Sequence, residues 1–330
     1  MSKFVNRRSF AIASAPFFFV VTTSFAIDAV AQAYPTRAVH LEVGAPAGGG
    51  TDIVARMLAD KLGESLKQSF VVDNRPGASN TIAADFTAKS PPDGHTLLVA
   101  TNTGQAIAPH LLKLNFDPQK DLAPVALVMV VPNVLVVGAS VNARDVRELV
   151  AQMKARPDAF NYASSGPGST QHLAGEAFKK LAGVQMTHIP YKGSSQAHAD
   201  LLSGNAQLMF DTTSSAIGQI KGGKLRALAV TSPRRSPELA EVPTLAEAGY
   251  PGLEMTTWYG VFAPAGTPKD TVARLHDEIM KALSLPDVQR RIAGLAGEPG
   301  TMSNAEFAEL NRADFERYGK LIRDAGIKLE

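Results

Sequence analysis

The sequence predicts an α/β protein with mostly parallel sheets, and three features of the chain support this fold class. Short apolar runs with the spacing of strands alternate with segments of helical periodicity. The alternation begins again near residue 134, which indicates a second α/β unit. The 330 residues are 45% hydrophobic and 19% charged, which supplies enough apolar material for a large core and excludes a disordered chain.

The first 33 residues differ from the rest and have the features of an export signal. Basic residues precede an apolar stretch over residues 10–27, and Ala31-Gln32-Ala33 offers small residues for cleavage. We therefore expect a periplasmic protein whose mature chain starts at Tyr34. A membrane anchor is the alternative, but Asp28 ends the apolar stretch where an anchor would continue. The Arg7-Arg8 pair resembles a twin-arginine motif, and ordinary secretion stays open.

Composition excludes several function classes. Without the predicted leader, the basic and acidic residues balance at thirty each. A neutral chain without runs of Lys, Arg and aromatic residues lacks the charge pattern of a nucleic-acid partner. The absence of cysteine excludes disulfides, a thiolate nucleophile, a zinc ribbon and an iron–sulfur cluster. Because the seven histidines show no metal-binding spacing, we expect neither a metal nor another cofactor.

The first half of the mature chain begins with a strand in which Val39, Leu41 and Val43 alternate with other residues. Apolar residues then recur at helical spacing, and turns rich in Pro and Gly separate the later elements. The predicted order is a strand at 39–43, a helix at 53–66, a strand at 70–72, a helix at 82–88 and a strand at 96–100.

The second half repeats this pattern. Strands are predicted at 134–137, 161–163, 186–189, 207–210 and 227–230, and helices at 145–155, 173–181 and 197–202. From residue 270 the chain is predicted to be helical, with breaks at Pro286 and at residues 298–300. In α/β proteins of this kind ligands bind beyond the carboxyl ends of the strands, so the loops after strands are the candidate sites.

Loop 1, residues 44–52, follows the first predicted strand and contains three consecutive glycines. Backbone N–H groups of such a loop, at the start of a helix, can surround an anion. The alternative is a tight turn with Thr51 or Asp52 as the helix cap. Nucleotide-binding motifs fit this loop poorly. A P-loop needs lysine at the position of Gly50, and a dinucleotide-binding loop needs glycine at the position of Ile53.

Loop 2, residues 164–172, has a similar position in the second half and is rich in Ser and Gly. Its short donors suit a carboxylate better than catalysis. A secreted α/β hydrolase is the alternative function, but no G-x-S-x-G elbow is present and no base is tied by spacing to Ser165 or Ser169. His172, at the start of the next helix, is expected to be a structural partner.

Several motifs occur together in one order along nearly the whole mature chain. They are Tyr34-Pro35-Thr36-Arg37, Pro46-Ala47-Gly48-Gly49-Gly50-Thr51-Asp52, Asn74-Arg75-Pro76-Gly77-Ala78, Pro92-Asp93-Gly94-His95-Thr96, Ser164-Ser165-Gly166-Pro167-Gly168-Ser169, Pro190-Tyr191-Lys192-Gly193 and Ala263-Pro264-Ala265-Gly266-Thr267-Pro268. With the leader, this set resembles the Bug family of extracytoplasmic solute receptors, which serve tripartite tricarboxylate transporters.

The resemblance implies a two-lobed periplasmic binding protein fold, type II-like, with two sheets and a hinged cleft of the Venus flytrap kind. Lobe 1 would comprise residues 34–136 and 259–330, and lobe 2 residues 137–258. It implies a monomeric receptor and not an enzyme. The solute would be a small organic acid, namely a di- or tricarboxylate, an aromatic acid or an acidic amino acid. Delivery to the membrane subunits of a tripartite tricarboxylate transporter is implied, while delivery to a sensor kinase stays open.

The resemblance also assigns ligand-binding residues. Loop 1 would hold one carboxylate through Ala47, Gly48, Gly49, Gly50, Thr51 and Asp52, and loop 2 another through Ser165, Gly166, Gly168, Ser169 and Thr170. Other residues that follow strands are expected to face the cleft: Asn102, Thr103, Tyr191, Lys192 and Asp211. Lys192 would be the counterion of a dianion or an ordinary surface charge, and Asp211 would meet a polar group of the solute or cap a helix. Trp258 is expected to pack at the hinge.

Overall fold

The computed structural model describes residues Met1–Lys3 and Tyr34–Ile327. The predicted cleavage site and twin-arginine motif therefore lie outside the described residues. Tyr34, the expected first residue of the mature chain, is held by a 2.5 Å hydrogen bond from its hydroxyl to the carbonyl of Gly94. Over the described residues, no helix combines the length and the apolar character that a membrane span requires.

Strands and helices alternate through most of the chain. The first part contains β1 (Val39–Val43), α1 (Gly50–Leu66), β2 (Phe70–Asn74), α2 (Thr81–Ala88), β3 (Thr96–Thr101) and β4 (Leu122–Val137). The middle part contains α3 (Val146–Ala155), β5 (Asn161–Ser164), α4 (Thr170–Ala182), β6 (Thr187–Pro190), α5 (Ser194–Ser203), β7 (Leu208–Thr212), α6 (Thr213–Lys221) and β8 (Arg226–Val230). The last part contains β9 (Thr256–Pro264), α7 (Lys269–Leu283), α8 (Pro286–Gly294), β10 (Glu298–Pro299) and α9 (Asn304–Ala325).

Every strand and helix that the sequence predicts is present, with ends shifted by a few residues. The sequence did not predict β9, α6, β10 or the part of β4 before Val134. A π-helical turn at Thr103–Ile107 was also unforeseen. Such turns occur often at functional sites, because the wider turn changes the direction of the side chains.

The sheets are mixed, which corrects the prediction that they are mostly parallel. The first sheet has the order β2-β1-β3-β9-β4, and the second continues from β4 through β7 and β5 to β6. β1 is parallel to β2 and β3, and β5 is parallel to β6 and β7. All pairings of β4 and β9 are antiparallel. β4 carries the chain from the first sheet into the second, and the chain is back in the first sheet where β9 begins at Thr256.

β4 changes partner between Pro132 and Asn133. Up to Pro132 it pairs with β9, and from Asn133 onward with β7. The buried Asn133 amide fixes this crossing, since its Nδ2 donates to the carbonyl of Phe210 at 2.9 Å and its Oδ1 accepts from the Thr257 hydroxyl at 3.1 Å. Its backbone N–H donates to Thr231 Oγ1 at 2.9 Å. The two sheets therefore meet at a fully hydrogen-bonded side chain.

Apolar cores cover the sheets, and α9 packs against both of them. Trp258 of β9 packs with Phe262 and with Phe307 of α9, and its Nε1 donates to Asp314 Oδ2 at 2.9 Å. Further along α9, Tyr318 packs in the core of the second sheet. The single tryptophan is thus a core residue, and α9 connects the two halves of the molecule.

Candidate functional site

A small cavity lies between the two sheets, beyond the ends of several strands. It is lined by Ala45, Gly49, Gly50, Thr51, Asn80, Thr101, Thr103, Ser165, Thr170, Gln171, Gly193, Ser194, Thr212, Thr257 and Tyr259. None of these residues is charged, and most carry a hydroxyl group. The cavity has a volume of about 30 Å³, which holds water but is too small for an organic acid of several carbons.

Four helices begin at this cavity. Gly50 starts α1, Thr170 starts α4 and Ser194 starts α5, while Thr212 precedes the first residue of α6. The first backbone N–H groups of a helix have no partner within the helix and carry a partial positive charge. Four such ends around one uncharged space favour an anion without any basic side chain.

The cavity is narrow because residues from both sheets approach each other closely. A Cβ atom at Gly50 would lie 2.6 Å from Ser214 Oγ and 2.6 Å from the Tyr259 hydroxyl. A Cβ atom at Gly193 would lie 2.4 Å from Pro46 Cδ. Only glycine allows these approaches. The described residues thus form a closed cleft.

Loop 1 is held in shape by Asp52, which lies behind the cavity. Its carboxylate accepts hydrogen bonds from the Gly48 N–H at 2.9 Å, from Asn74 Nδ2 at 2.9 Å and from Arg56 Nε at 3.0 Å. Burial alone would raise the pKa of Asp52, but these hydrogen bonds outweigh it and the pKa lies below its usual value. Asp52 therefore stays ionised and committed to protein donors.

Loop 2 supplies Ser165 and Thr170 to the cavity. The Ser165 hydroxyl donates to Gln171 Oε1 at 2.9 Å, and Ser169 caps α4 by accepting from the His172 N–H at 3.2 Å. Gly168, with φ of 74°, makes a turn that residues with a side chain rarely adopt. Its N–H donates to His172 Nδ1 at 3.1 Å, so that N–H group faces the protein and not the cavity.

Three stacked rings lie behind loop 2. The ring centroids of His172 and His188 are 4.2 Å apart, and those of His188 and Tyr162 are 4.8 Å apart. His188 Nε2 is 2.6 Å from Ser164 Oγ, which also accepts from the Gly166 N–H at 3.1 Å. Burial, followed by the nearby His172, lowers the pKa of His188 to about 4. His188 is therefore neutral at pH 7, and the stack supports loop 2 from behind.

A left-handed segment joins the two loops. Ala78, Ser79 and Asn80 have φ values of 43°, 55° and 72°. Consecutive residues with side chains adopt this conformation only where the surroundings enforce it, most often at functional sites. Asn80 lines the cavity, and the Ser79 hydroxyl donates to the carbonyl of Pro167 in loop 2.

The remaining predicted residues divide between the cavity and its surroundings. Thr103 lines the cavity, whereas Asn102 is buried beside it and donates to the carbonyl of Thr256 at 2.9 Å. The Tyr191 hydroxyl binds the Asp200 carboxylate, and the side chain of Lys192 is exposed. Asp211 is fully buried and its oxygens bind protein donors.

Among the predicted site residues, the structure brings together at the cavity Gly49, Gly50, Thr51, Thr103, Ser165 and Thr170. It places the others around it: Ala47, Gly48, Asp52, Asn102, Gly166, Gly168, Ser169, Tyr191, Lys192 and Asp211. The sequence missed several lining residues. Thr101, Ser194 and Thr212 could have been found, because they also lie at or just after the ends of strands. Thr257 and Tyr259 could not, because they lie within β9, which was not predicted.

Comparison with known proteins identifies the family. Residues 54–327 match the family described as tripartite tricarboxylate transporter family receptor, TctC. The chain belongs to this receptor family. A UPF0065 protein from the tcbD-tcbE intergenic region of Pseudomonas sp. strain P51 is 40% identical over 92% of this chain and 90% of its own length. Protein BugT of Bordetella pertussis is 36% identical over 94% of this chain and 96% of its own length. The resemblance to the Bug family is thereby confirmed.

Solved structures of TctC-like proteins confirm the periplasmic binding protein fold. Rpa4515 of R. palustris with adipate matches with a TM-score of 0.87 at 38% identity, over 89% of this chain and 99% of that chain. The periplasmic binding protein BugD matches with a TM-score of 0.85 at 34% identity, over 90% of this chain and 100% of that chain. MatC from Rhodopseudomonas palustris with bound malate matches with a TM-score of 0.83 at 31% identity, over 88% of this chain and 100% of that chain. The matched family is thus one of receptors, and BugD is a periplasmic binding protein.

Proposed function

We propose that this TctC receptor binds a small organic carboxylate in the cavity between its sheets and delivers it to the membrane subunits of a tripartite tricarboxylate transporter. The observation that carries the proposal is the convergence of four helix N-termini on a cavity lined by uncharged residues. Catalysis has no comparable support, since no lining residue is a carboxylate, a histidine, a lysine or a cysteine.

Recognition of the acid rests on backbone donors in this proposal. Loop 1 offers the N–H groups at the start of α1 from Gly50 onward, and loop 2 those at the start of α4 from Thr170 onward. Thr51, Thr103 and Ser165 add hydroxyl groups. The other residues that the family resemblance assigns act by holding these donors in place, as Asp52 does for loop 1. Adipate and malate, the acids in two related structures, are the first candidates for the solute.

Two lobes that hinge around the cleft would admit the acid. We place lobe 1 at residues 34–136 and 259–330 and lobe 2 at residues 137–258. The change of partner of β4 after Pro132 and the start of β9 at Thr256 support this division, because the chain passes into the second sheet within β4 and is back in the first sheet at β9. Binding energy would then come from donors that closure brings together.

The mature protein would act as a monomer in the periplasm after cleavage before Tyr34. N-terminal sequencing of the exported protein measures the cleavage position. Uptake of a labelled acid by cells with and without the receptor measures delivery to a transporter. A receptor that feeds a sensor kinase instead would leave uptake unchanged and alter gene expression.

A thermal-shift screen of the mature protein with a panel of organic acids tests the proposed binding. An acid at 100 times its Kd should stabilise the protein by about 2.7 kcal/mol. Gly50→Ala should abolish this shift, because its Cβ would meet Ser214 and Tyr259 across the cleft. Gly218→Ala in α6 is the matched control, since the space around Gly218 is open.

The screen also separates a receptor from an enzyme. The bound acid should be recovered unchanged, and binding should survive EDTA. If no carboxylate stabilises the protein, or if Gly50→Ala binds as well as the wild type, the proposed site is wrong. Conversion of the acid would favour an enzyme over a receptor.

A further inference from the structure

A buried hydrogen-bond relay reaches the cavity through Ser194. The Ser194 hydroxyl donates to Asp211 Oδ1 at 2.6 Å, and Asp211 Oδ2 lies 2.7 Å from His198 Nε2. The Thr212 N–H also donates to Asp211 Oδ1, at 2.8 Å. Asp211 has no exposed surface, while Ser194 lines the cavity. The relay therefore links a buried carboxylate to the space where the acid is proposed to bind.

The relay fixes the direction of the Ser194 hydroxyl. An ionised carboxylate accepts hydrogen bonds and cannot donate, so the Ser194 proton must point toward Asp211. Burial favours neutral His198, but the hydrogen bond and the charge of Asp211 outweigh burial and raise the pKa of His198 above its usual value. His198 therefore donates from Nε2 to Asp211 Oδ2. The oxygen of Ser194 is then left with lone pairs for a group in the cavity.

Other hydroxyls of the cavity are committed to one another. The Asn133 amide is oriented by its bond to the carbonyl of Phe210, so Thr257 must donate to Asn133 Oδ1. Thr170 Oγ1 lies 2.8 Å from Thr257 Oγ1 and is therefore the donor of that pair. Ser194 differs from them, because its partner is a carboxylate whose acceptor role is fixed by charge. The Ser194 proton is donated to Asp211, so the Ser194 oxygen can only accept from a group in the cavity; the same holds for Ser165, whose proton is donated to Gln171.

We propose that Ser194 selects carboxylates that also carry a hydroxyl group, with Asp211 and His198 as its positioning residues. This inference rests on the proposed function and deepens it by naming the class of acid. The solute hydroxyl would donate to Ser194 Oγ while its carboxylates meet the helix N-termini. A hydroxyl fits better than an ammonium group, since the four positive helix ends disfavour a cation.

Matched pairs of acids test the selection by isothermal titration. Malate and succinate differ by one hydroxyl, as do mandelate and phenylacetate. The wild type should bind the hydroxylated member of at least one pair about tenfold to a hundredfold more tightly, because the other member leaves the buried Ser194 oxygen without a donor. Ser194→Ala should remove most of this ratio with little change for the deoxy acid. Ser195→Ala, at the next position of α5 and outside the lining, should keep the ratio.

Asp211→Asn tests the relay separately. An amide at this position can donate to Ser194 Oγ, which frees the serine proton to point into the cavity. The ratio of the two Kd values in a pair should fall toward one even if overall affinity changes. A purely structural role of Asp211 would weaken both acids equally and leave the ratio intact.

The outcomes distinguish the inference from the proposed function. Equal wild-type affinity for both members of a pair overturns the selection by Ser194 and leaves the receptor function standing. The same holds if Ser194→Ala retains the preference, or if a carboxylate without a hydroxyl group binds while neither pair does. If no organic acid of the panel binds, the proposed function itself fails.

Discussion

At the scale of single residues, Asp52 shows how a buried charge orders loop 1 from behind the cavity. It lies in the first turn of α1, where a negative charge is favoured by the helix dipole. Arg56 binds it through two nitrogens, with Arg56 Nη2 2.9 Å from Asp52 Oδ1 and Nε 3.0 Å from Oδ2. The Gly48 N–H also donates a hydrogen bond to the Asp52 carboxylate. The geometry of loop 1 therefore depends on a carboxylate at this position.

Asp52→Asn should lower both stability and affinity. Its amide nitrogen would face donors that need an acceptor, so we expect a loss of about 1–3 kcal/mol in the free energy of unfolding at pH 7, measured with urea. Because the pKa of Asp52 is lowered in the folded protein, the carboxylate stabilises above the unfolded pKa. The difference between wild type and variant should therefore shrink as pH falls through the lowered value. Acid binding should weaken several-fold.

Asp60→Asn is the control for this effect. Asp60 lies on the same helix, is exposed and is 4.0 Å from Arg291. Its removal should change stability by less than about 0.5 kcal/mol. Equal losses in the two variants would mean that Asp52 acts only through the overall charge of α1.

At the scale of elements, the sequence predicted the alternating strands and helices but not the two strands that join the sheets. The first part of β4 was missed because Pro124 and Pro132 interrupt its apolar run. In the structure, Pro124 lies at a register shift and Pro132 is the last residue before the change of partner. Proline is tolerated at such irregular positions, where a regular ladder hydrogen bond is not required. A local pattern could not reveal this, since it depends on the partner strand.

The candidate site was also predicted only in part, because some of its residues are brought there by strand pairing. Loops 1 and 2 were predicted because Gly and Ser after a strand are visible in the sequence. Tyr259 was not, because its position beside Ser214 depends on the pairing of β9. Burial raises the pKa of Tyr259 to about 12, so it remains a neutral phenol in the cavity wall. The enclosure of Asp211 by Ser194 and His198 likewise depends on the packing of α5 against β7.

The stability of the protein at acid pH should depend on the protonation of His188 in the ring stack behind loop 2. His172, Glu176 and Lys179 are the titratable groups that act on His188. With a pKa of about 4 in the folded protein and about 6.5 when unfolded, His188 binds its proton more readily in the unfolded chain. The free energy of unfolding should therefore fall as pH is lowered from about 6.5 toward 4.

His188→Phe should make this decline less steep, because phenylalanine keeps a ring in the stack but does not titrate. Urea unfolding at several pH values between 7 and 4.5 measures the slope. Ser164→Ala is the control, since it removes the hydrogen bond to His188 and keeps the titrating ring. Parallel curves for wild type and His188→Phe would show that the histidine does not govern acid stability.

At the scale of the whole molecule, contacts between the two proposed lobes close the cleft. Pro46 of loop 1 lies against Gly193 before α5, and Ser79 binds the carbonyl of Pro167 in loop 2. The cavity of about 30 Å³ cannot admit an organic acid in this arrangement. In the proposed function, the acid enters an open form, and the rim contacts of Pro46 with Gly193 and of Ser79 with Pro167 form again around it. Affinity then depends on how well the rim closes.

Gly193→Ala tests this dependence with a single methyl group. The φ of Gly193 is 164°, an extended conformation that alanine adopts without strain, so the change acts only through its contact with Pro46. Isothermal titration should show a loss of acid affinity of about tenfold or more, because overpacking of this kind costs about 1–3 kcal/mol. X-ray scattering should show a larger radius of gyration than for the wild type with the same acid.

Adding Pro46→Ala to this variant is the control. It removes the two ring atoms that the new methyl group would meet, at 2.4 Å and 2.8 Å, and should restore both affinity and compactness. Wild-type affinity in Gly193→Ala alone would show that the acid binds without closure of the rim.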